Sequence, residues 1–161
     1  MKTHSNIGTV PIIGGALLMI VATFFVSILP SFTKPTITLQ LGDGVFNAKV
    51  ASTANDRAKG LAGVTVFNAD QALLMVFPNQ DEWSIGARDM NISVDMVWLN
   101  SDKKVVYAVT DVSPELLASE VYTPKLPAMY VVLLPAGTVK AKMINTISIA
   151  NFNIGTTVGG R

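Results

Sequence analysis

The sequence predicts a mainly β protein: a small sandwich or barrel-like β-rich domain with one or two short helices, preceded by one transmembrane helix. Three observations predict it. Short runs of alternating apolar and polar residues recur along the chain, the period of strands with one face in a core. Turn residues such as Asp43-Gly44, Pro78-Asn79 and Asn100-Ser101-Asp102 separate those runs. The chain also opens on a long uncharged stretch unlike anything after it. At 161 residues there is room for one domain and an extra piece, at ~100–200 residues per domain.

The extra piece lies at the front. Ile7 to Leu29, IGTVPIIGGALLMIVATFFVSIL, is 23 residues without a charge. A helix rising ~1.5 Å per residue needs about 20 residues to cross a ~30 Å hydrocarbon core. Pro11 lies near the start of the run, where a missing N–H costs least, and Gly14 and Gly15 are better tolerated in lipid than in water. A cleaved signal peptide would have a shorter apolar region, ~7–15 residues, and then a small-x-small site. The following LPSFTKPT offers no Ala-x-Ala, which favours an uncleaved anchor. The absence of cysteine closes the lipoprotein route. Lys2 and the α-amino group precede the run and Lys34 follows it, a slight bias that places residues 1–6 inside and the globular part outside the cytoplasm. The expected organisation is a tail (1–6), a span (7–29), a linker (30–35), a β-rich domain (36–154) and a C-terminal tail (155–161).

Within the domain, TITLQLG (Thr36–Gly42) and VFNAKVA (Val45–Ala51) flank Asp43-Gly44, a strong hairpin signal. In STANDRAKG, Thr53 followed three residues later by Asp56 resembles a capping box. Lys59 and then Gly60 close the segment, so a helix of little more than a turn is expected, leaning on a sheet. Its Arg57 reads as a helix-face charge before a ligand contact. ALLMVF (Ala72–Phe77), ended by Pro78, reads as a buried central strand. A hairpin pairs Val94–Leu99 with Val105–Val109 across the polar turn 100–104. Ser113 to Pro127 reads as an ordered loop, Met129–Pro135 as another strand, AGTVKAKM as a helical turn and TISIANF as a last strand.

Composition removes whole classes of chemistry. There is no cysteine, and the single histidine, His4, lies ahead of the apolar run. The folded part therefore holds no thiol nucleophile, no thiolate metal site, no Ser-His-Asp triad and no histidine zinc site. No Asp-x-Asp-x-Asp-Gly loop supports a carboxylate metal site either, and no cofactor motif occurs. Setting Lys2 and Lys34 aside leaves 10 of 12 basic residues against 11 acidic ones, about −1 for the outer part. That balance does not suggest a nucleic-acid surface.

The candidate site lies in RDMNISVDMVWL, Arg88–Leu99. Met90, Ile92, Val94, Met96 and Trp98 form one apolar row. The other row begins polar with Asp89, Asn91, Ser93 and Asp95, then turns apolar at Val97 and Leu99. Asp95 sits at that change and is expected half-buried, held by backbone N–H groups or by an arginine. Asp89 and Asp95 on one continuous strand would lie about 20 Å apart at ~3.3 Å per residue, too far for paired carboxylate catalysis. The ligand-binding candidates are Arg88, Asp89, Asn91 and Asp95, with Trp83 at the rim. Trp98 is expected in the core.

The motifs occur in an order that resembles the domain of unknown function 192 (DUF192) family. ANDRAKGLAG, ALLMVF, IGARDMNISVDMVWLNSDKKVVYAVTDVSPE, PAMYVVLLPAG and ISIANF follow one another between about Ala48 and Phe152. The chain departs from the family pattern at Ile85-Gly86-Ala87, where an aromatic pair and a methionine are usual, and at Ser93, where proline is usual. It also has Val64 in place of a common arginine and Ala150-Asn151 in place of Gly-Asp. The resemblance implies a compact β-rich fold, frequently exported or membrane-attached, with no established activity and no catalytic assignment. The function expected is a membrane-anchored extracytoplasmic binding module, with the lipid bilayer and a small ligand or an envelope protein as partners. A carboxylate-based hydrolase or lyase-like enzyme, using Asp95 with Asp111, Arg88 or Arg57, is one alternative. A purely structural envelope module, pairing through an open sheet edge, is another.

Overall fold

The computed structural model describes residues 36–86, 89–114 and 120–155. Residues 34–161 form a unit by themselves, and both hydrophobic clusters are drawn wholly from residues 39–152. The expected span at 7–29 and Arg88 lie outside the described residues. No described helix is long and apolar enough to cross a membrane.

The described residues form nine strands: β1 Thr36–Leu41, β2 Gly44–Ala51, β3 Gln71–Asp81, β4 Ile85–Gly86, β5 Val94–Leu99, β6 Val105–Val112, β7 Val121–Tyr122, β8 Ala128–Pro135 and β9 Asn151–Phe152. Among the described residues two short helices join them, α1 Ala54–Lys59 and α2 Thr138–Ala141. Seven strands make one sheet in the order β6-β5-β8-β3-β2-β1-β9, while β4 pairs with β7 separately. The β2–β3 pair is parallel, with α1 in the connection between them; the other strand pairs are antiparallel. A parallel pair cannot be joined by a tight turn, so the helix and the loop after it are a geometric necessity.

The segment after α2 brings the two ends of the sheet together. Ile149 bridges Lys104, the Val105 N–H donates to the Ser148 carbonyl, and the Ala150 N–H donates to the Lys103 carbonyl. The next residues, β9, pair with β1. Lys103 Nζ adds a hydrogen bond of 2.7 Å to the Phe152 carbonyl and sits 4.4 Å from the centre of that ring. The result is a half-barrel. Its enclosed face holds Leu39, Phe46, Leu74, Val97, Leu99, Val132 and Leu134. The opposite face holds Leu73, Met75, Phe77, Met96, Trp98, Val131 and Leu133.

Local chemistry explains most of the elements. The first hairpin turns at Gly42-Asp43, one residue earlier than the Asp-Gly signal, because Gly44 already pairs with Leu41. Gly42 has φ +55, and a Cβ there would stand 2.2 Å from the Lys142 carbonyl oxygen. Gly42 therefore supplies the left-handed residue, as in a II′ turn. Helix α1 is capped as expected: the Asp56 N–H donates to Thr53 Oγ1 at 3.1 Å, and the Thr53 hydroxyl donates to the Asp56 carboxylate. Its stop is Gly60, at φ +48, whose N–H donates to the Asp56 carbonyl.

Other expectations need correction. β3 does not end at Phe77; it runs on through Pro78 to Asp81. Pairing with β8 breaks between Val76 and Asp81, so the proline meets no demand for an N–H. The last strand shrinks to two residues, because an Asn145 turn, with the Ile147 and Ser148 N–H groups donating to Asn145 oxygens, interrupts TISIANF. The loop expected at 113–127 contains β7.

The largest correction concerns RDMNISVDMVWL. The strand begins only at Val94, and all six residues of β5 are fully buried. Asp89, at φ +61 and exposed, belongs to a turn. The row that starts polar and ends apolar is thus two structures in succession, an outer turn and then a central strand buried on both sides.

Candidate functional site

Asp95 is completely buried, not half-buried. Alternation along β5 puts it on the enclosed face with Val97 and Leu99. Its Oδ1 accepts from the Asp111 N–H at 2.8 Å and the Gly137 N–H at 3.2 Å, and its Oδ2 accepts from the Val139 N–H at 2.7 Å. Each donor marks an irregularity. Asp111, at φ +55, lies where the β5–β6 register slips between Val94 and Met96. Gly137 and Val139 start α2, whose own N-cap residue offers no side-chain bond. A carboxylate is an acceptor-only group. Here it satisfies a strand bulge and a helix start together.

That placement bears on the enzyme alternative. Arg57 donates through Nη1 to the Ser52 and Val76 carbonyls and lies 5.0 Å from the Phe77 ring centre, on the opposite face of the sheet from Asp95. Asp111 meets Asp95 through its backbone N–H. Asp95 lines neither of the two cavities described below. Among the described residues, no group of three or more carboxylates or imidazoles gathers as a metal site would require.

Concavity lies instead on the other face. A cleft of about 280 Å³ opens between α1 and the sheet. Met75 of β3, Met90, Met96 of β5 and Leu133 of β8 line its depth, all buried. Leu61, Phe77 and Ile85 add further apolar wall, with Gly86 and Ser84 beside them. Arg57, Lys59 and Gly60 come from α1 and its cap. Both charged residues among those lining the cleft are cations. This face is covered by short pieces and not by a continuous sheet: the α1 segment, the two-stranded β4–β7 ribbon and the 89–93 turn. Two of the positions where the chain departs from the DUF192 pattern, Ile85 and Gly86, lie in the cleft wall, and Val64 packs against the same cluster.

None of the described sequence-derived candidates lines this cleft; Asp95 lies on the other face, while Trp83, Asp89 and Asn91 adjoin lining residues. Trp83 is half-buried, stacked on Phe77 at 4.5 Å and 19°, with its Nε1–H donating to the Asn79 carbonyl. The Trp83 carbonyl accepts from Trp98 Nε1 at 2.8 Å. Asp89 and Asn91 are exposed on either side of Met90, which reaches the cleft, and the Asp89 carbonyl accepts from the Gly63 N–H. On the far side the Tyr122 hydroxyl donates to Glu120. That bond first, then slight desolvation and the carboxylate charge, raises the phenol above its ordinary pKa. A second, more open cavity of about 490 Å³ lies outside the Asp95 bonds, lined by Asp111, Gly137, Val139, Lys140 and Met143 among others.

Sequence reasoning passed over Met75, Met90 and Met96 as plain core. Their one signal was chemical: thioethers are the adaptable apolar side chains, suited to walls that meet varied shapes. From sequence alone Lys59 is only a helix-end charge.

Fold and site together define a small mainly β half-barrel domain with a cleft on its incompletely covered face. The chain belongs to the DUF192 family, described as an uncharacterized ACR, which matches residues 37–147. A proposed transcription regulator from Sinorhizobium meliloti 1021 has a similar fold, with TM-score 0.71 at 17% identity, covering 76% of this chain and 98% of that one. A protein of unknown function from Novosphingobium aromaticivorans DSM 12444 is similar with TM-score 0.70 at 16% identity, covering 76% and 89%. Among curated proteins no relative matches. At such identities the likeness is one of fold.

Proposed function

We propose that this protein is a small-ligand binding module, held at a membrane by the apolar run 7–29 with its half-barrel outside the cytoplasm. The observation that carries the binding reading is the cleft. A face of the sheet that would normally be sealed leaves buried Met75, Met96 and Leu133 lining an open cavity. Ligand sites are typically concavities of ~300–1,000 Å³ with apolar walls and a few polar groups, and this one, about 280 Å³, falls just below that range. Of the 89–93 turn, Met90 lines the cleft, and Trp83 supports the wall by stacking on Phe77. The membrane reading rests on the 23 uncharged residues themselves.

A thermal-shift screen of residues 34–161 against small apolar and amphipathic compounds tests the binding reading. A ligand selective for the native state adds about 2.7 kcal/mol at a hundredfold excess over Kd, and at least one compound is expected to raise the melting point. A screen without a single stabiliser refutes the reading. The anchor is tested separately on the full chain, which should stay with membranes after alkaline carbonate washing. Recovery from the cytosol with its first residues intact would refute the anchor.

A further inference from the structure

The two cations in the cleft say more about the ligand than its apolar walls do. Arg57 and Lys59 both belong to α1, and no carboxylate occurs among the described lining residues. The rest of the wall is largely apolar, with Met75, Met90, Met96 and Leu133, and with Phe77 directly under the Arg57 guanidinium. A guanidinium carries five N–H donors. Nη1 serves the Ser52 and Val76 carbonyls, which holds the group in place, and among the described residues Nε and Nη2 have no hydrogen-bond acceptor, so they can serve a bound oxygen. Lys59 is exposed and brings a second positive charge from the end of the helix.

Resting on the binding reading above, we infer that the cleft takes a small amphipathic anion, a carboxylate on a short apolar body. The head group is held by Arg57 and Lys59, and the tail lies on the methionine side. Size permits it: the cleft, about 280 Å³, has room for a small molecule with a short apolar body. Charge complementarity selects the sign, and a charge-assisted bond to Arg57 adds direction.

The methionines make the inference directly readable. In residues 34–161 labelled at the methionine methyls, Met75, Met90 and Met96 report the cleft, while Met129 and Met143 serve as controls outside it. Octanoate, octanol and octylammonium are the probes. Octanoate should shift the three cleft methyls saturably and leave the controls in place. Octanol should bind about tenfold more weakly, the loss expected for one charge-assisted contact. Lys59→Gln, at an exposed position, and Arg57→Lys should each narrow that gap while the control methyls show the fold intact.

Equal binding of octanol and octanoate overturns the anion inference and leaves the cleft as a site. So does a preference for octylammonium. A gap that survives both substitutions overturns the assignment to α1. Silence of the cleft methyls toward all three probes overturns the inference and the binding reading together.

Discussion

The two faces of the half-barrel are made from the same strands and end differently. On β5, β3 and β8 successive residues point alternately to each side, so Val97, Leu74 and Val132 face the enclosed side while Met96, Met75 and Val131 face the other. The enclosed side is finished by strands and backbone bonds, with the 148–152 segment drawn across from β6 to β1. The other side is finished by a six-residue helix, a two-stranded ribbon and a turn, and it retains a cleft. Similar apolar character therefore yields a closed core on one side and a concave surface on the other. The difference lies in what covers each face, not in how hydrophobic it is.

Asp95 is the sharpest test of that contrast, because its carboxylate closes the enclosed side. Asp95→Ala leaves three backbone N–H groups without their acceptor, and urea unfolding of residues 34–161 should show a loss of about 3–5 kcal/mol. Asp95→Asn keeps one acceptor oxygen and should lose less. Binding at the cleft should persist in both variants under folding conditions. Lost binding at unchanged stability would instead give Asp95 a role in the site.

A matched pair of truncations comes next. Leu74→Ala on the enclosed side removes a side chain with no exposure and should cost about 3–4 kcal/mol, since a sealed core relaxes poorly around the void. Met75→Ala, its neighbour on β3, enlarges a cavity already open to solvent and should fall near the low end of the range, about 2 kcal/mol. Equal costs in chemical denaturation would mean that the two faces are packed alike, against the contrast drawn above.

The smallest effect concerns the cover of the cleft. Thr53→Ala removes the cap of α1 and should cost about 1 kcal/mol. Hydrogen exchange should accelerate at residues 54–59 and hardly change in β5 or β8. Spread of the effect through the sheet would show that α1 is part of the cooperative core and not a separable cover.

Local features of this protein were readable in its sequence because each depends on a few neighbouring residues. Thr53, Asp56 and Gly60 bound α1 as their chemistry requires. The β5–β6 hairpin follows its polar turn, and Trp98 lies in the core. The ordered set of motifs also carried the family. Even local reading slipped by one residue at Gly42-Asp43, where a contact with Lys142, distant in sequence, decides which glycine turns.

What the tertiary structure alone decided were the matters that depend on partners far along the chain. Asp95 looks the same in sequence whether it meets solvent, a substrate or three amides from residues 111, 137 and 139; only the fold brings those amides to it. Met75, Met90 and Met96 are ordinary apolar residues until α1 stops short of covering them. Periodicity states which side of a strand a residue faces. What lies on that side is set by connections closing over tens of residues, and no local pattern encodes them.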